Sequence, residues 1–244
     1  TNLLVLANEH VAGAVFAERM LPAWIAAVTV TAGFVVVAHG FGRSAPGAPD
    51  RTGPMPQGRS RLALISVAVI VAAGLVLALH NPAPAVLAVG VAVAAAAVVR
   101  RGLAVGDIWA AVDPPSLAGV FGVAVGLGTL ARAWGGPADL MAHAGTIETS
   151  TIGALASVVV NNLPAAVLLG SRHPAHPRAL LLGLNLGPNL AVTGSLSALI
   201  WFRAATAVGA KPSVARVSRF GLILVPVSIA AGAVALRLFA PAPL

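Results

Sequence analysis

The chain has 244 residues, of which 58% are hydrophobic and 9% are charged. Soluble domains carry about a quarter charged residues, so this composition excludes a soluble globular protein and predicts an integral membrane protein. The formal net charge is +8, but the basic residues lie in short stretches between apolar runs. We expect them to orient the chain in a lipid bilayer rather than to bind nucleic acid. Cysteine is absent, which excludes disulfides and thiolate metal sites.

Apolar runs divide the first part of the chain into a span and its flanks. Residues 1–7 are apolar but too short to cross a bilayer, and residues 8–20 carry charges that suit an aqueous rim. Residues 21–41 are long enough to span, because about 20 apolar residues are needed. Residues 43–61 form a basic linker rich in proline and glycine, which the positive-inside rule places in the cytoplasm.

The rest of the chain, residues 62–244, is predicted to form one unit. Its expected elements are spans at about 62–79, 85–99 and 116–131, a hairpin at 147–171, a broken helix at 178–203 and a span at 217–239. The third of these spans has small residues at about four-residue spacing, a pattern that lets helices approach closely in lipid: Gly119, Gly122, Gly126 and Gly128.

One apolar run, residues 179–202, is long enough to cross a bilayer but contains residues that interrupt a helix. Pro188 removes a backbone donor, and Gly187 and Gly194 tolerate non-helical dihedral angles. We therefore predict two half-helices joined by an unwound stretch, with Ser195 placed to cap the second half. Irregular backbone at membrane depth is tolerated only where it is buried in protein or lines a cavity, and in transporters it marks the binding site.

A second interruption is the segment 161–164, Asn-Asn-Leu-Pro, between two short apolar arms. If residues 147–170 crossed the membrane completely, the basic loop at 203–219 would lie outside, against the charge bias. A re-entrant hairpin that enters and leaves from the outer side places this loop in the cytoplasm. We expect the tip of the hairpin to meet the broken helix in one cavity.

The predicted cavity offers amides, hydroxyls and unpaired backbone groups but no charged side chain and no thiol. We expect it to bind a small neutral solute with hydroxyl groups, because amides and hydroxyls can exchange hydrogen bonds with such a solute. The residues expected to bind it or to hold the backbone open are Asn161, Asn162, Pro164, Asn185, Gly187, Pro188, Asn189, Thr193, Gly194 and Ser195. No metal, cofactor or enzymatic activity is expected, because the spans contain no nucleophile–base pair and no cluster of metal ligands.

These segments closely resemble the arsenite/antimonite permeases of the ion-transporter superfamily, which also contains sodium/proton antiporters and citrate or dicarboxylate carriers. The residues that carry the resemblance are Asn-Asn-Leu-Pro at 161–164, Leu-Gly-Pro-Asn-Leu at 186–190 and Thr-Gly-Ser-Leu-Ser-Ala-Leu-Ile-Trp at 193–201. The resemblance is strong over residues 150–240 and weak over residues 1–42. It implies an all-α integral membrane protein with two inverted repeats, each with a re-entrant hairpin and a broken transmembrane helix, usually as a homodimer.

The resemblance also implies an activity and a division of the chain. The activity is efflux of trivalent arsenic hydroxide across the inner (plasma) membrane, driven by the proton gradient alone or with a soluble arsenite-stimulated ATPase as partner. Residues 1–42 would be the C-terminal end of the first repeat, from which Thr1 and Asn2 would contribute to the site. Residues 62–244 would be a complete second repeat, and the chain would lack the earlier part of the first.

Two positions depart from the resemblance, because family members often carry Asp at the position of Asn185 and Lys at that of Asn189. Two other interpretations therefore stay open. One is a sodium- or proton-coupled carrier for an organic anion of the citrate or dicarboxylate type, which would need a cationic residue from outside the visible site. The other is a membrane protein that does not transport, either a truncated gene product or a structural subunit.

Overall fold

The structure, a computed structural model, describes residues 13–39, 59–79, 81–101, 104–207 and 209–239. All regular elements in these ranges are helices. They are α1 (Gly13–His39), α2 (Arg59–Ala78), α3 (Ala83–Arg101), α4 (Val105–Val112), α5 (Pro114–Ala133), α6 (Gly136–His143), α7 (Thr146–Val160), α8 (Asn162–Leu169), α9 (Pro177–Leu186), two 3₁₀ turns (Gly187–Leu190 and Val192–Gly194), α10 (Leu196–Ala207) and α11 (Val214–Phe239).

Three stretches of these helices are long and apolar enough to cross a membrane: Ala14–Ala38, Ile108–Ala133 and Val214–Phe239. Shorter apolar helices are Ser66–Ala78, Ala83–Val99 and Thr146–Val160. The predicted all-α class and the membrane-helix character of the chain are thereby confirmed. The inverted repeat and the orientation of the chain in a bilayer stay predictions.

The helices extend beyond the apolar runs that predicted them. α1 begins at Gly13, ahead of the span expected from residue 21, and it includes the charged residues Glu18 and Arg19. A hydropathy pattern marks the apolar part of a helix, whereas its backbone hydrogen bonds continue into polar turns. The predictions for Thr1 and Asn2, and for residues 43–58 of the linker, lie outside the described residues.

The core of the described chain is built around α9. Leu180, Leu181 and Leu184 are fully buried and pack with residues of α6, α7 and α8. Leu182 packs on another side of α9, in a cluster with Ala23 of α1 and residues of α11. α9 is therefore enclosed from several directions.

α7 and α9 run side by side in the same direction with very close backbones. Ser150 of α7 is buried and donates its hydroxyl hydrogen to the carbonyl oxygen of Ala179, at 2.9 Å. A Cβ added at Gly183 would overlap the carbonyl oxygen of Ser150, and one added at Gly153 would lie 3.1 Å from the carbonyl oxygen of Leu180. The two helices can approach this closely only because glycine has no side chain.

α7 and α8 form a helical hairpin. Met141 and Ala144 lie just before α7, and they belong to the same buried cluster as Leu169, the last residue of α8. The two ends of the hairpin are therefore on one side of the molecule and its joint is on the other. Val167 of α8 also packs against α5, where it would lie 2.7 Å from a Cβ added at Gly128.

Candidate functional site

The helix that begins with α9 does not continue through Pro188. α9 ends at Leu186, and the chain then makes a 3₁₀ turn that contains Pro188. Ala191 has an extended backbone, with φ −150° and ψ 148°, before a second 3₁₀ turn. Ser195 is extended as well, and α10 begins at the next residue. The interruption predicted from proline and glycine is therefore present, and we call residues 187–195 the interruption.

Local contacts hold the two 3₁₀ turns of the interruption together and cap the helix that follows. The Ser195 hydroxyl oxygen accepts a hydrogen bond from the backbone N–H of Ala198 at 3.2 Å, which confirms the predicted cap of the second half-helix. A Cβ added at Gly194 would lie 2.6 Å from the Cα of Pro188, so the second 3₁₀ turn packs directly on the first. A larger residue at position 194 would push the two turns apart.

The joint of the hairpin carries backbone strain. Asn161 has φ 73° and ψ 152°, a region that residues other than glycine rarely occupy. Its side-chain oxygen accepts a hydrogen bond of 3.4 Å from the backbone N–H of Leu163, at the start of α8. Pro164, in the first turn of α8, is fully buried. Such strain costs about 1–3 kcal/mol and occurs preferentially at functional sites.

The interruption and the joint of the hairpin lie at the same end of α7. A Cβ added at Gly187 would overlap the Cα of Ala154 and the hydroxyl oxygen of Ser157. Ser157 is fully buried and donates its hydroxyl hydrogen to the carbonyl oxygen of Ala154 at 2.7 Å. Asn161 is four residues further along, or about 6 Å along the helix axis. The two predicted features therefore approach each other.

α11 closes the opposite side of the interruption. A Cβ added at Gly221 would overlap the carbonyl oxygen of Asn189, so the first 3₁₀ turn rests on the backbone of α11. Leu190 packs against a buried cluster that contains Val225 of α11 and Ala154 of α7. The interruption is thus held between α7 and α11.

The predicted site residues divide into a buried frame and accessible amides. The backbone-shaping residues are buried: Pro164, Gly187, Pro188, Gly194 and, at 8% exposure, Ser195. The amide side chains are half-buried or exposed: Asn161, Asn162, Asn185 and Asn189. The backbone of Thr193 lies in the second 3₁₀ turn, and its side chain lies outside the described residues.

The structure does not bring all of these amides to one place. Gly183 and Gly187 face α7, and Asn185, midway between them, lies on the opposite face of α9. Its side-chain N–H donates to the carbonyl oxygen of Leu181 at 2.7 Å. Asn185 borders a cavity of about 370 Å³ between α1 and α9, together with apolar residues such as Trp24. It therefore faces α1 rather than the joint of the hairpin.

A further cavity of about 540 Å³ lies where α6 meets α7, near the open ends of the hairpin, and His143 and Glu148 border it. A ring nitrogen of His143 lies 2.7 Å from the carbonyl oxygen of Asp139, and Glu148 accepts a hydrogen bond of 2.9 Å from the N–H of Gly145. Because a carbonyl oxygen can only accept, this His143 nitrogen carries the hydrogen. Both side chains thus bind backbone groups at the ends of their own helices.

α11 borders the site although no motif in its sequence predicts this. The signal available for it is the pattern Gly221, Pro226 and Ser228 within one apolar span. Small and polar residues in such a span indicate a helix that packs on protein rather than on lipid alone. In the structure, Gly221 and Ser228 are both buried.

The site as a whole presents backbone groups, amides and hydroxyls. Among the described residues, no group of three or more His, Asp or Glu side chains is placed to hold a metal ion. Comparisons of the chain with known protein families, with curated proteins and with solved structures found no match.

Proposed function

We propose that the protein is a secondary transporter of the plasma membrane that exports arsenite or antimonite as the neutral hydroxide. The observation that carries this proposal is the interruption at 187–195, which is uncharged and held between α7 and α11 beside the strained joint at Asn161. Three apolar stretches long enough to cross a membrane support the location in a bilayer. The sequence resemblance supports the choice of solute.

The interruption can bind a small neutral solute through groups that an intact helix would not offer. Helices leave N–H and C=O groups unpaired at their ends, and two helix N-termini begin here, those of α8 and α10. Asn189 and Asn162 add accessible amides. No residue between 187 and 195 is charged, so an anionic solute would be desolvated without a compensating charge. A hydroxylated neutral solute meets no such penalty.

Transport would require the site to open alternately to the two sides of the membrane. The close packing of α7 on α9 through Gly153 and Gly183 favours movement of the hairpin and the interrupted helix as one body. In this proposal they move against the remaining helices, within an architecture of two inverted repeats that forms a homodimer. A proton gradient, with or without a soluble ATPase partner, would drive the export.

The proposal is tested by arsenic accumulation in cells that lack their own arsenite exporter. Cells that make the protein are expected to hold less intracellular arsenic than cells with an empty vector. Unchanged arsenic would contradict the assignment. Sodium-dependent uptake of citrate by the same cells would instead support the organic-anion carrier.

A matched pair of variants connects the activity to the interruption. Asn189→Ala removes an exposed amide, so the fold is expected to persist while the half-saturating arsenite concentration rises about three- to tenfold, the effect of one neutral hydrogen bond. Asn81→Ala makes the same change at the exposed turn between α2 and α3 and is expected to leave efflux unchanged. Equal efflux by both variants would exclude Asn189 from the site.

A further inference from the structure

α1 and α11 run in opposite directions. The rings of Phe34 in α1 and Phe220 in α11 meet edge to face, with their centroids 5.7 Å apart. Ala23, which comes earlier in α1, packs in one buried cluster with Ala233, which comes later in α11. Because the earlier residue of α1 pairs with the later residue of α11, the two helices are antiparallel.

α9 is antiparallel to α11 as well. A Cβ added at Gly232 would lie 2.8 Å from the side chain of Leu182 in α9. A Cβ added at Gly221, earlier in α11, would overlap the carbonyl oxygen of Asn189, which follows α9. Since α1 and α9 both run opposite to α11, they run parallel to each other.

The parallel arrangement of α1 and α9 brings two arginines to the same level. Ala23 of α1 and Leu182 of α9 belong to one buried cluster. Arg19 precedes Ala23 and Arg178 precedes Leu182 by one helical turn, or about 6 Å along the helix axis. Both arginines are half-buried, and the positive charge of Arg19 acts on Arg178. Two neighbouring positive charges repel each other, so an anion is favoured between them.

The cavity beside Asn185, of about 370 Å³, begins within one helical turn of these arginines. On α9 it is bordered by Leu181, Leu182 and Asn185, which follow Arg178 at spacings of three, four and seven residues and therefore share its face of the helix. On α1 it is bordered by Met20, the residue after Arg19. None of the described residues that border the cavity is charged. An apolar space thus adjoins a pair of cations.

The cavity opens on a surface that would face lipid. Leu21 and Trp24 border it and are 48% and 63% exposed. Both belong to the stretch Ala14–Ala38, which is long and apolar enough to cross a membrane. Arg19 belongs to the charged segment 8–20, which the sequence predicts at an aqueous rim. A lipid molecule could therefore enter the cavity from the bilayer while its headgroup stays at the level of the arginines.

We propose that an anionic phospholipid binds between α1 and α9, with its phosphate between Arg19 and Arg178 and one acyl chain in the cavity beside Asn185. Guanidinium groups bind phosphate through charge-assisted hydrogen bonds, and basic pockets between membrane helices bind lipid headgroups. The acyl chain would cover the apolar walls of the cavity. This inference does not depend on the exported solute, because the cavity lies on the face of α9 away from α7 and the joint of the hairpin.

The first experiment measures the melting temperature of the protein, purified in dodecyl maltoside, during titration with phosphatidylglycerol or phosphatidylcholine of the same acyl chains. Phosphatidylglycerol is expected to stabilise wild type at lower concentration. The double variant Arg19→Gln/Arg178→Gln should need about thirtyfold more of it for the same rise, because two cationic contacts are lost. The control Arg216→Gln/Arg219→Gln removes the same charge from exposed positions of α11 and should respond as wild type does. Equal responses to the two lipids, or equal losses in both double variants, would contradict the site.

Two further measurements test the headgroup and the acyl chain separately. Native mass spectrometry of wild type with an equal mixture of the two lipids needs no variant, and it is expected to show phosphatidylglycerol retained in preference. Ala17→Trp would fill the cavity from α1 with both arginines intact, and it should weaken that retention. Inorganic phosphate alone should not raise the melting temperature. Equal retention of both lipids, unchanged retention in Ala17→Trp, or stabilisation by phosphate equal to that by the lipid would overturn the proposal.

Discussion

The glycines of α7, α9 and α11 lie against neighbouring backbone, whereas most glycines of α5 have open space around them. Cβ atoms added at Gly183 and Gly221 would overlap carbonyl oxygens of adjacent elements. Those added at Gly119, Gly122 and Gly126 would meet no atom of the described residues within 4 Å. Glycine therefore allows close backbone packing around α7, α9 and α11, whereas most glycines of α5 pack against nothing in the described chain.

This difference locates the part of the molecule where geometry is most constrained. Around the interruption, a shift of one element moves the carbonyl groups of the next, because no side chain separates them. Around α5, the exposed apolar surface includes Phe121 and Val125, which the described chain leaves uncovered. The candidate site thus belongs to the tightly packed region, and changes there should be felt far more strongly than changes in α5.

The largest effect is expected from Gly183→Ala. Its methyl group would overlap the carbonyl oxygen of Ser150, so α7 and α9 would have to separate. We expect a loss of about 3 kcal/mol in stability, at the upper end of the range for overpacked cores. Thermal denaturation and size-exclusion chromatography of the purified protein measure it. A melting temperature equal to that of wild type would remove the contrast between the two regions.

A smaller effect of opposite sign is expected from Asn161→Gly. Glycine adopts the φ of 73° without strain, so the variant should gain about 1 kcal/mol in stability. Arsenite efflux should fall, because the amide at the joint is lost. Asn81→Gly, at the exposed turn between α2 and α3, is the control and should lose stability, because glycine raises the conformational entropy of the unfolded chain. A destabilised Asn161→Gly variant would show that the joint carries no strain.

Gly122→Ala tests the open region. An added methyl group meets nothing within 4 Å, and alanine favours a helix over glycine by up to about 1 kcal/mol. We therefore expect a melting temperature equal to or slightly above that of wild type. A loss of stability similar to that of Gly183→Ala would mean that this face of α5 is packed against another helix in the membrane.

The smallest effect is expected at the ion pair that connects α10, which follows the interruption, with the start of α5. Arg203 of α10 donates to the carboxylate of Asp113, at the start of α5, over 2.6 Å, and Ser116 donates to the same carboxylate over 2.8 Å. The Arg203 side chain is 65% exposed, so solvent screens the pair. Arg203→Gln should lower the melting temperature only slightly at low salt and not at all at about 1 M salt, where charges are screened within about 3 Å. A large fall that persists in high salt would contradict this.

Much of the helical architecture could be predicted from local chemistry. Pro188 and its flanking glycines predicted the end of α9, and the Asn-Asn-Leu-Pro segment predicted the joint between α7 and α8. Both interruptions are set by dihedral preferences and missing backbone donors, which depend on the residues themselves. Of the α5 glycines predicted to pack against helices, Gly128 lies against Val167, whereas Gly119, Gly122 and Gly126 meet no atom of the described residues within 4 Å. Spacing alone does not say which face of a helix meets a neighbour.

The arrangement of the site was harder to predict. The sequence placed Asn185 with the other amides, but the residues that face α7 are Gly183 and Gly187, and Asn185 points to α1. Which face of α9 meets α7 is decided by contacts between elements distant in sequence. The same holds for Gly221, which lies against the carbonyl oxygen of Asn189, a contact that no sequence pattern reveals.

The most direct test of the account is solute protection of single cysteines, which is clean because the chain has none of its own. Asn189→Cys is expected to react with a membrane-impermeant maleimide, and antimonite is expected to slow that reaction. Asn81→Cys, on the turn between α2 and α3, should react with the maleimide at the same rate with and without antimonite. This control excludes the possibility that antimonite slows labelling simply by binding to the thiol. An Asn189→Cys variant whose labelling antimonite does not change would contradict a solute site at the interruption.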